Sequence, residues 1–205
     1  MSLRVLAICL VGAIGCVDVP DYDDPRQVPF EGDGYVSCEN LLDNGDFDSS
    51  PVGWNFNPSS LLIDERQLGS DHPFRASSGY YFAWLGGANN ATRSASQRIE
   101  VPHTSSLKLV GKHFVAAETT GRVEDTLKID IVDDTGAVLA TAASFTNLDS
   151  APDTASFYWK DLRTDVASQT FGGKTVTFRI TAVTDFANNT NFLFDTLQLK
   201  PAECL

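Results

Sequence analysis

Over most of the chain, apolar residues recur at every second position or in short runs rich in β-branched and aromatic residues. Leu127, Ile129 and Ile131, for example, alternate with Lys128 and Asp130, which is the pattern of a strand with one wet face. Gly, Asn, Asp or Pro separates successive runs, and no stretch keeps a helical period for more than about two turns. The chain is therefore predicted to be built from strands.

The predicted strands are short and numerous. They are Tyr80–Leu85, Arg98–Val101, Leu107–Val110, Leu127–Val132, Ala137–Ala140, Ser156–Trp159, Val176–Ile180 and Phe192–Leu199. Between two of them, Asp133–Gly136 predicts a tight hairpin, because glycine adopts the positive φ that such a turn needs. This number of strands predicts an all-β fold: a two-sheet antiparallel β-sandwich of jelly-roll type, in a single domain over residues 38–205.

The first sixteen residues have the features of a secretory signal peptide. One positive charge, Arg4, precedes the uncharged and mostly apolar run Val5–Gly15, and Cys16 follows. The run is too short to span a bilayer as a helix, which takes roughly 20 residues. We expect residues 1–15 to direct export and to be removed.

The junction Ala13-Ile14-Gly15-Cys16 resembles the lipobox of bacterial lipoproteins, in which small residues precede a cysteine that is lipidated and becomes the new N-terminus. The resemblance implies lipidation of Cys16; the alternative is ordinary cleavage that leaves Cys16 as a free thiol. Val17, rather than Asp, follows the cysteine, and in Gram-negative lipoproteins this accompanies outer-membrane retention. The expected location is the outer membrane or the cell surface, with the lipid anchor as the only membrane contact.

Residues 16–37 are acidic and contain Pro20, Pro25 and Pro29. These residues include too few apolar side chains to build a core, and we therefore expect them to form a tether. The alternative is a disordered leading segment of no particular length. The whole chain has 27 acidic and 15 basic residues and a formal charge of −12. Such a charge disfavours nucleic acid and anionic lipid as partners.

The four cysteines divide by position. Cys9 lies inside the signal and Cys16 at its end, whereas Cys38 and Cys204 lie at the two ends of the predicted domain. Export takes the last two into an oxidising compartment, so a Cys38–Cys204 disulfide is expected. Since bridged Cα atoms lie about 5 to 6 Å apart, the first and last strands should then be neighbours.

Two sets of segments resemble known secreted β-sandwiches. Asn40–Asp48, with its Asn-Gly-Asp-Phe core, and Trp54 are similar to the opening strand of jelly-roll carbohydrate-binding modules of the galactose-binding-like superfamily. The second set resembles the non-catalytic β-sandwich appended to many secreted bacterial peptidases and glycoside hydrolases. It consists of Ala83–Gly87, Gln97–Pro102, Glu118 with Asp125–Ile129, and Phe192–Leu197. The resemblance implies a non-catalytic binding module with carbohydrate as its ligand.

The same resemblance implies a structural calcium ion held by Asp46, Asp48 and Asp195, with Glu118 and Asp125 as a weaker second pair. Asp195 shares one face of its strand with three leucines, where a carboxylate is costly unless it is paired or metal-bound. The opposite face of that strand is also half apolar, so its orientation stays open. The alternative for all five acids is a role in turns and salt bridges.

Sugar binding needs a flat aromatic face beside groups that hydrogen-bond hydroxyls. The aromatic candidates are Trp54, Tyr80, Tyr81, Trp84, Tyr158 and Trp159, of which half are expected in the core. Among them Tyr80, Trp84 and Tyr158 are the predicted ligand-binding residues, although the apolar surroundings of Trp84 favour burial. Asn89-Asn90 and Asn188-Asn189 are possible amide donors from loops, with ordinary turn chemistry as the alternative.

Catalytic signatures are lacking in the sequence. His72, His103 and His113 are scattered, and no zinc-protease helix motif, nucleophile elbow or phosphate loop occurs, although paired carboxylates for glycosidase chemistry stay open in so acidic a chain. The sequence thus favours an exported, lipid-anchored, non-catalytic module that binds carbohydrate at the cell envelope. The alternative is a structural or protein-interaction domain of the envelope.

Overall fold

A computed structural model describes residues 37–117, 121–150 and 157–204. The predicted signal peptide, Cys16, almost all of the tether and Glu118 lie outside the described residues. The strands are β1 (Asn55–Asn57), β2 (Leu62–Asp64), β3 (Tyr81–Gly86), β4 (Thr92–Glu100), β5 (Ser106–Ala117), β6 (Thr126–Val132), β7 (Val138–Thr146), β8 (Lys160–Ala167), β9 (Thr175–Val183) and β10 (Thr190–Pro201).

The strands form two antiparallel sheets of five strands each. Sheet I has the order β1-β4-β9-β6-β7, and sheet II has the order β2-β3-β10-β5-β8. The described residues contain no α-helix, only short 3₁₀ turns, and none of these is long and apolar enough to cross a membrane. The predicted two-sheet antiparallel sandwich is confirmed.

The main core lies between the inner faces of the two sheets. On β6, Leu127, Ile129 and Ile131 are completely buried, while Lys128 is exposed. From sheet II, Phe192 and other β10 side chains join the same core. Each fully buried side chain of this size contributes about 1.5–3 kcal/mol of hydrophobic stabilisation. The predicted inward face of β6 is confirmed, whereas its predicted wet face holds only for Lys128, because Asp130 is buried.

The predicted hairpin between β6 and β7 is also confirmed. Gly136 has φ +86°, and its N–H donates to the carbonyl of Asp133 at 3.0 Å. The Asp133 carboxylate accepts the backbone N–H groups of Thr135 and Ala137, both at 2.9 Å. The acid therefore organises the turn that the glycine permits.

A second apolar cluster covers the outer face of sheet II. It contains Phe82 of β3, Phe114 of β5 and Leu193 of β10. The loop of residues 68–80 lies over these side chains and inserts Phe74, whose ring centroid is 6.0 Å from that of Phe114. Sheet II is thus buried on both faces, in contrast to an antiparallel sheet with one wet side.

The opening segment differs from the prediction. Residues 41–46 form turns rather than a strand, and the first strand, β1, pairs with β4 of sheet I. β3 pairs with β10 only up to Phe194, so the edge of β10 beyond it is free for another segment. Asn40 takes this edge: its side chain accepts the N–H of Leu199 at 2.8 Å and donates to the carbonyl of Leu197 at 3.2 Å.

The predicted disulfide is confirmed, but the prediction that the first and last strands are neighbours is wrong. Cys38 and Cys204 are bridged with their Cα atoms 5.3 Å apart. Because an irregular segment lies beside β10, the bridge joins that segment to the chain end, and β1 and β10 belong to different sheets.

The predicted strand Ser156–Trp159 is wrong over its described part, residues 157–159. The pairing of β8 with β5 stops at the Lys160–His113 pair, so the residues before Lys160 have no strand partner. They are held by side chains instead: the Trp159 Nε1–H donates to the carbonyl of Arg75 at 3.0 Å, and Phe157 packs against Phe114. Aromatic packing and a side-chain hydrogen bond, rather than strand pairing, hold this segment in position.

Candidate functional site

Two of the three acids predicted to bind calcium, Asp195 and Asp48, contact one loop, residues 68–80. Asp195 of β10 is fully buried beneath it. One carboxylate oxygen accepts the backbone N–H groups of Ser77 and Ser78 at 2.6 and 3.1 Å, and the other accepts that of Thr196 at 2.6 Å. Three donors compensate a large part of the cost of burying this carboxylate.

A β-bulge decides where Asp195 points. The register of β10 against β5 shifts between Asp195 and Gln198. Asp195 therefore lies on the outer face with Leu193, whereas Leu197 and Leu199 join the inner core. The expected grouping of Asp195 with all three leucines is corrected, because the extra residue changes the side on which later side chains lie.

Burial raises the pKa of Asp195 to about 7, and the nearby charge of Asp48 adds to this, while the backbone donors from Ser77, Ser78 and Thr196 lower it. Burial outweighs the hydrogen bonds because the carboxylate has lost its solvent and faces a like charge rather than a cation.

Asp46 and Asp48 are exposed and also belong to this arrangement. The Asp48 carboxylate accepts the N–H of Tyr80 at 3.0 Å and lies over Gly79, where a Cβ would overlap it. Asp46 accepts the N–H of Asp48 at 3.3 Å. Within the described part of the chain, no three His, Cys, Asp or Glu side chains converge as a metal-binding group. Calcium at these acids stays a prediction.

Asp125, of the weaker pair, is buried directly before β6. One of its oxygens accepts the N–H of Asp185 at 2.7 Å, and the other has no hydrogen-bond partner among the described residues. Asp125 thus anchors the loop between β9 and β10. That loop forms part of the pocket described below.

The predicted aromatic residues occupy separate places. Tyr80 is half exposed, with the Arg66 guanidinium 4.5 Å from its ring centroid. Trp84 is partly buried against Phe74 at a centroid distance of 5.2 Å. Tyr158 is half exposed. No ring contact in the described structure joins any two of the three, and each stands as a separate candidate rather than part of one platform.

The loops at the end of β3 and the start of β10 surround an open pocket of about 460 Å³. Asn89, Asn188, Asn189 and Asn191 converge on it. Pro73, Phe74, Ala116 and Ala117 supply its apolar part. None of these described lining residues carries a charge, so the pocket presents neutral amides beside an apolar surface.

Hydrogen bonds hold the two asparagine-bearing loops together. The Thr184 hydroxyl donates to the carbonyl of Ala88 at 2.6 Å, and the Asn89 amide donates to the carbonyl of Phe186 at 3.0 Å. Asn188 donates to the carboxylate of Glu124 at 3.3 Å. These contacts preorganise the amides, since each loop is tied to its neighbour without a ligand.

Trp84 positions one of the amides. Its Nε1–H donates to Oδ1 of Asn191 at 2.9 Å. This bond orients the Asn191 amide, whose two N–H groups and second oxygen lone pair can still bind a ligand. Trp84, predicted as a stacking surface, is in this structure a support for the amide beside it.

Phe186 was missed by sequence reasoning. It stands on the β9–β10 loop next to Asn89, and 75% of its surface is exposed. The available signal was a single aromatic residue inside a polar turn segment, Asp185–Thr190, where a core position is not expected. The Phe186 backbone carbonyl accepts the Asn89 amide, and the exposed ring belongs to the same loop as two of the pocket asparagines. An exposed ring and convergent amides are the groups that a saccharide site uses.

The chain matches no protein-family model and no curated protein. Solved structures similar to it include a family 61 carbohydrate-binding module in complex with beta-1,4-galactotriose, at 15% identity and TM-score 0.46, covering 80% of this chain and 99% of that one. A second is a family 16 carbohydrate-binding module, at 13% identity and TM-score 0.47, covering 78% and 99%.

A third is the K3 cleaved adhesin domain of Lys-gingipain from Porphyromonas gingivalis, at 12% identity and TM-score 0.46, covering 76% of this chain and 97% of that one. At these identities the similarity concerns the arrangement of strands.

Proposed function

We propose that this chain is a non-catalytic carbohydrate-binding module whose ligand occupies the asparagine pocket. The observation that supports this function is the convergence of Asn89, Asn188, Asn189 and Asn191 on one pocket. Exposed Phe186 lies on the same loop as Asn188 and Asn189.

The chemistry of the pocket suits a neutral saccharide. A carboxamide both donates and accepts hydrogen bonds, as a sugar hydroxyl does, so an array of amides can bind several hydroxyls at once. The apolar part formed by Phe74 and its neighbours, together with the Phe186 ring, can contact the C–H faces of a pyranose. None of the described lining residues is charged, so a carboxylate or phosphate would find no cation among them to balance its charge.

Export and anchoring complete the proposal. The segment before Cys16 has the composition of a signal peptide, and the lipobox-like junction supplies a lipid acceptor. A domain held by a lipidated Cys16 would present its pocket at the cell envelope, where polysaccharides are available. The acidic stretch after Cys16 supports a spacer role.

A protein-interaction domain is the second candidate, and the same ring favours it. Phe186 is the kind of exposed aromatic that anchors protein interfaces. The two functions differ in what they ask of the amides: a saccharide needs Asn189 and Asn191, whereas a docked apolar protein surface needs chiefly the ring.

Affinity electrophoresis of the full chain, in detergent, through gels containing neutral polysaccharides tests the proposal. We expect one or more polysaccharides to retard the chain, and Phe186→Ala and Asn189→Ala each to abolish retardation. Tyr158→Ala, a half-exposed aromatic outside the pocket, is the matched control and should leave it intact.

Retardation that survives both pocket variants but is lost in Tyr158→Ala would move the site to the aromatic residues predicted from sequence. No retardation across the neutral panel would favour the protein-interaction function, which crosslinking in the native envelope would then test.

A further inference from the structure

The outer face of sheet I carries a second, chemically different groove. Its volume is about 490 Å³, and it lies over the three adjacent strands β4, β9 and β6. Thr92, Ser94, Thr126 and Thr181 contribute hydroxyls, and Lys128, Asp130 and Arg179 contribute charges. This size is within the range of small-ligand sites.

Strand register places these groups in rows across the sheet. Ser94 pairs with Thr181, which pairs with Lys128; one row further, Arg179 pairs with Asp130. Neighbouring strands lie about 4.8 Å apart, so side chains on three of them can contact one ligand. The hydroxyl and charged groups of these rows can therefore contact one ligand of one or two sugar units.

Arg179 and Asp130 face each other in register, yet they form no ion pair in the described structure. Asp130 is buried, with 5% of its surface exposed. Its carboxylate accepts a hydrogen bond from the Thr141 hydroxyl at 2.7 Å instead. The Nε atom of Arg179 is shielded from solvent and donates to no described group. A buried guanidinium donor without an acceptor is costly, and a ligand oxygen would relieve that cost.

We propose that this groove binds a saccharide that carries a carboxylate, a uronic acid. The fork of Arg179 N–H donors matches a carboxylate in geometry, and exposed Lys128 adds a second positive charge. The four hydroxyls and the Asp130 carboxylate bind the hydroxyls of the sugar. Val183, 46% exposed at the end of the groove, gives an apolar contact for the ring.

The negative charge of the whole chain does not oppose this ligand at close range. Charges further away than the Debye length, about 8 Å at physiological salt, are largely screened. Within the groove the two cations, Lys128 and Arg179, outnumber the single carboxylate of Asp130. The proposal is independent of the asparagine pocket. The groove lies on the other sheet, and it favours a negatively charged ligand where the pocket favours a neutral one.

Isothermal titration of the full chain with digalacturonate, and with the digalactose of the same linkage, tests the inference. These probes differ only in having a carboxylate or a hydroxymethyl group on each ring. We expect saturable binding of digalacturonate, at least tenfold weaker binding of digalactose in this groove, and weakening of digalacturonate binding by added salt.

Arg179→Gln should weaken digalacturonate binding by at least tenfold, and Lys128→Gln should weaken it several-fold. Lys108→Gln is the matched control, because Lys108 lies on sheet II in an ion pair with exposed Asp165 and should have no effect. Lys128 is exposed, so its variant keeps the test valid even if Arg179→Gln does not fold.

Absence of saturable digalacturonate binding would overturn the inference, as would wild-type affinity in Lys128→Gln and Arg179→Gln. Loss of digalacturonate binding in Asn189→Ala would also overturn it, by placing the uronate in the asparagine pocket. Failure of the neutral polysaccharides to retard the chain, with digalacturonate binding intact, would affect the proposed function alone.

Discussion

The carboxylate of Asp195 on β10 accepts a 2.6 Å hydrogen bond from the backbone N–H of Ser77, which lies 118 residues earlier in the chain. This contact fastens the loop of residues 68–80 over the outer face of sheet II. The same loop carries Pro73 and Phe74 into the asparagine pocket. A buried acid in the middle of β10 thus helps to set the wall of a pocket at the start of that strand.

Asp195→Asn should destabilise the domain by about 1–3 kcal/mol, because an amide offers one acceptor oxygen where the carboxylate offers two. Denaturant unfolding measures the change in the free energy of unfolding. Asp161→Asn, an exposed acid paired with Lys112, is the control and should unfold like the wild type. Equal stability of the two variants would contradict an anchoring role for Asp195.

Calcium should raise the melting temperature if Asp195, Asp48 and Asp46 hold the ion, since a ligand of the native state alone stabilises that state. A cation would also compensate the charge whose burial raises the pKa of Asp195 to about 7. The measurement is a thermal melt in chelator and in added calcium, with Asp195→Asn expected to lose the response. A melting temperature that neither condition moves would remove calcium from the site.

His113 should make the domain less stable in mild acid. Burial lowers the pKa of this histidine, and the charge of Lys160 lowers it further, although Asp149 and Asp161 act in the opposite direction. The unfolded chain then binds a proton more readily than the folded one below about pH 6.5. The contribution of His113 to the free energy of unfolding should accordingly fall as the pH drops from about 6.5 towards the lowered pKa. Asp195, whose pKa is raised to about 7, contributes in the opposite direction, so the effect of His113 is the difference between the wild type and a His113 variant.

Denaturant unfolding at several pH values between about 5 and 7.5 measures this contribution of His113. His113→Gln should have a smaller loss of stability over that interval than the wild type, whereas exposed His103→Gln should retain the full loss. If His113→Gln loses as much stability as the wild type, the buried histidine is not its source.

Removing the disulfide by Cys38→Ser with Cys204→Ser should lower the free energy of unfolding by roughly 2–5 kcal/mol, because the bridge restrains a long loop of the unfolded chain. Replacing both cysteines leaves no unpaired thiol from this bridge. A reductant should therefore lower the stability of the wild type but not that of the double variant. Reductant-insensitive unfolding of the wild type would argue against the bridge in the exported protein.

Cys16→Ser should abolish incorporation of a labelled fatty acid and release the protein from the membrane fraction. Labelling in the exporting cell followed by fractionation measures both. Val17→Ala, beside the cysteine, should retain the label. Wild-type protein that is exported without label would instead show cleavage that leaves Cys16 as a thiol.

Several elements could be predicted from sequence because their causes are local. Leu127, Ile129 and Ile131 place one face of β6 inward by period two alone, and Gly136 marks its hairpin by the backbone it permits. The position of Cys38 and Cys204 at the ends of the domain was enough to pair them. The strand face and the hairpin follow from neighbouring residues alone, and the distant cysteines could be paired because no other cysteine lies within the predicted domain.

Long-range register was not available from these patterns. Asn40 replaces a strand along β10 only because β3 stops short, and the bulge after Asp195 sends Leu197 to the opposite face from Leu193. A bulge has no distinct signature here, since Thr196 is an ordinary strand residue that nonetheless adopts φ +51°.

The sequence by itself determined the fold class, the disulfide and the alternation of buried and exposed residues, because backbone geometry and local hydrophobic pattern suffice for these. Only the tertiary structure brought Asn89 to Asn191, joined the Asn89 amide to the carbonyl of Phe186, and aligned Arg179 with Asp130 on the other sheet. Those groupings depend on which strands pair and in what register. That choice is made by the packing of the whole sandwich, in which residues about a hundred positions apart become neighbours.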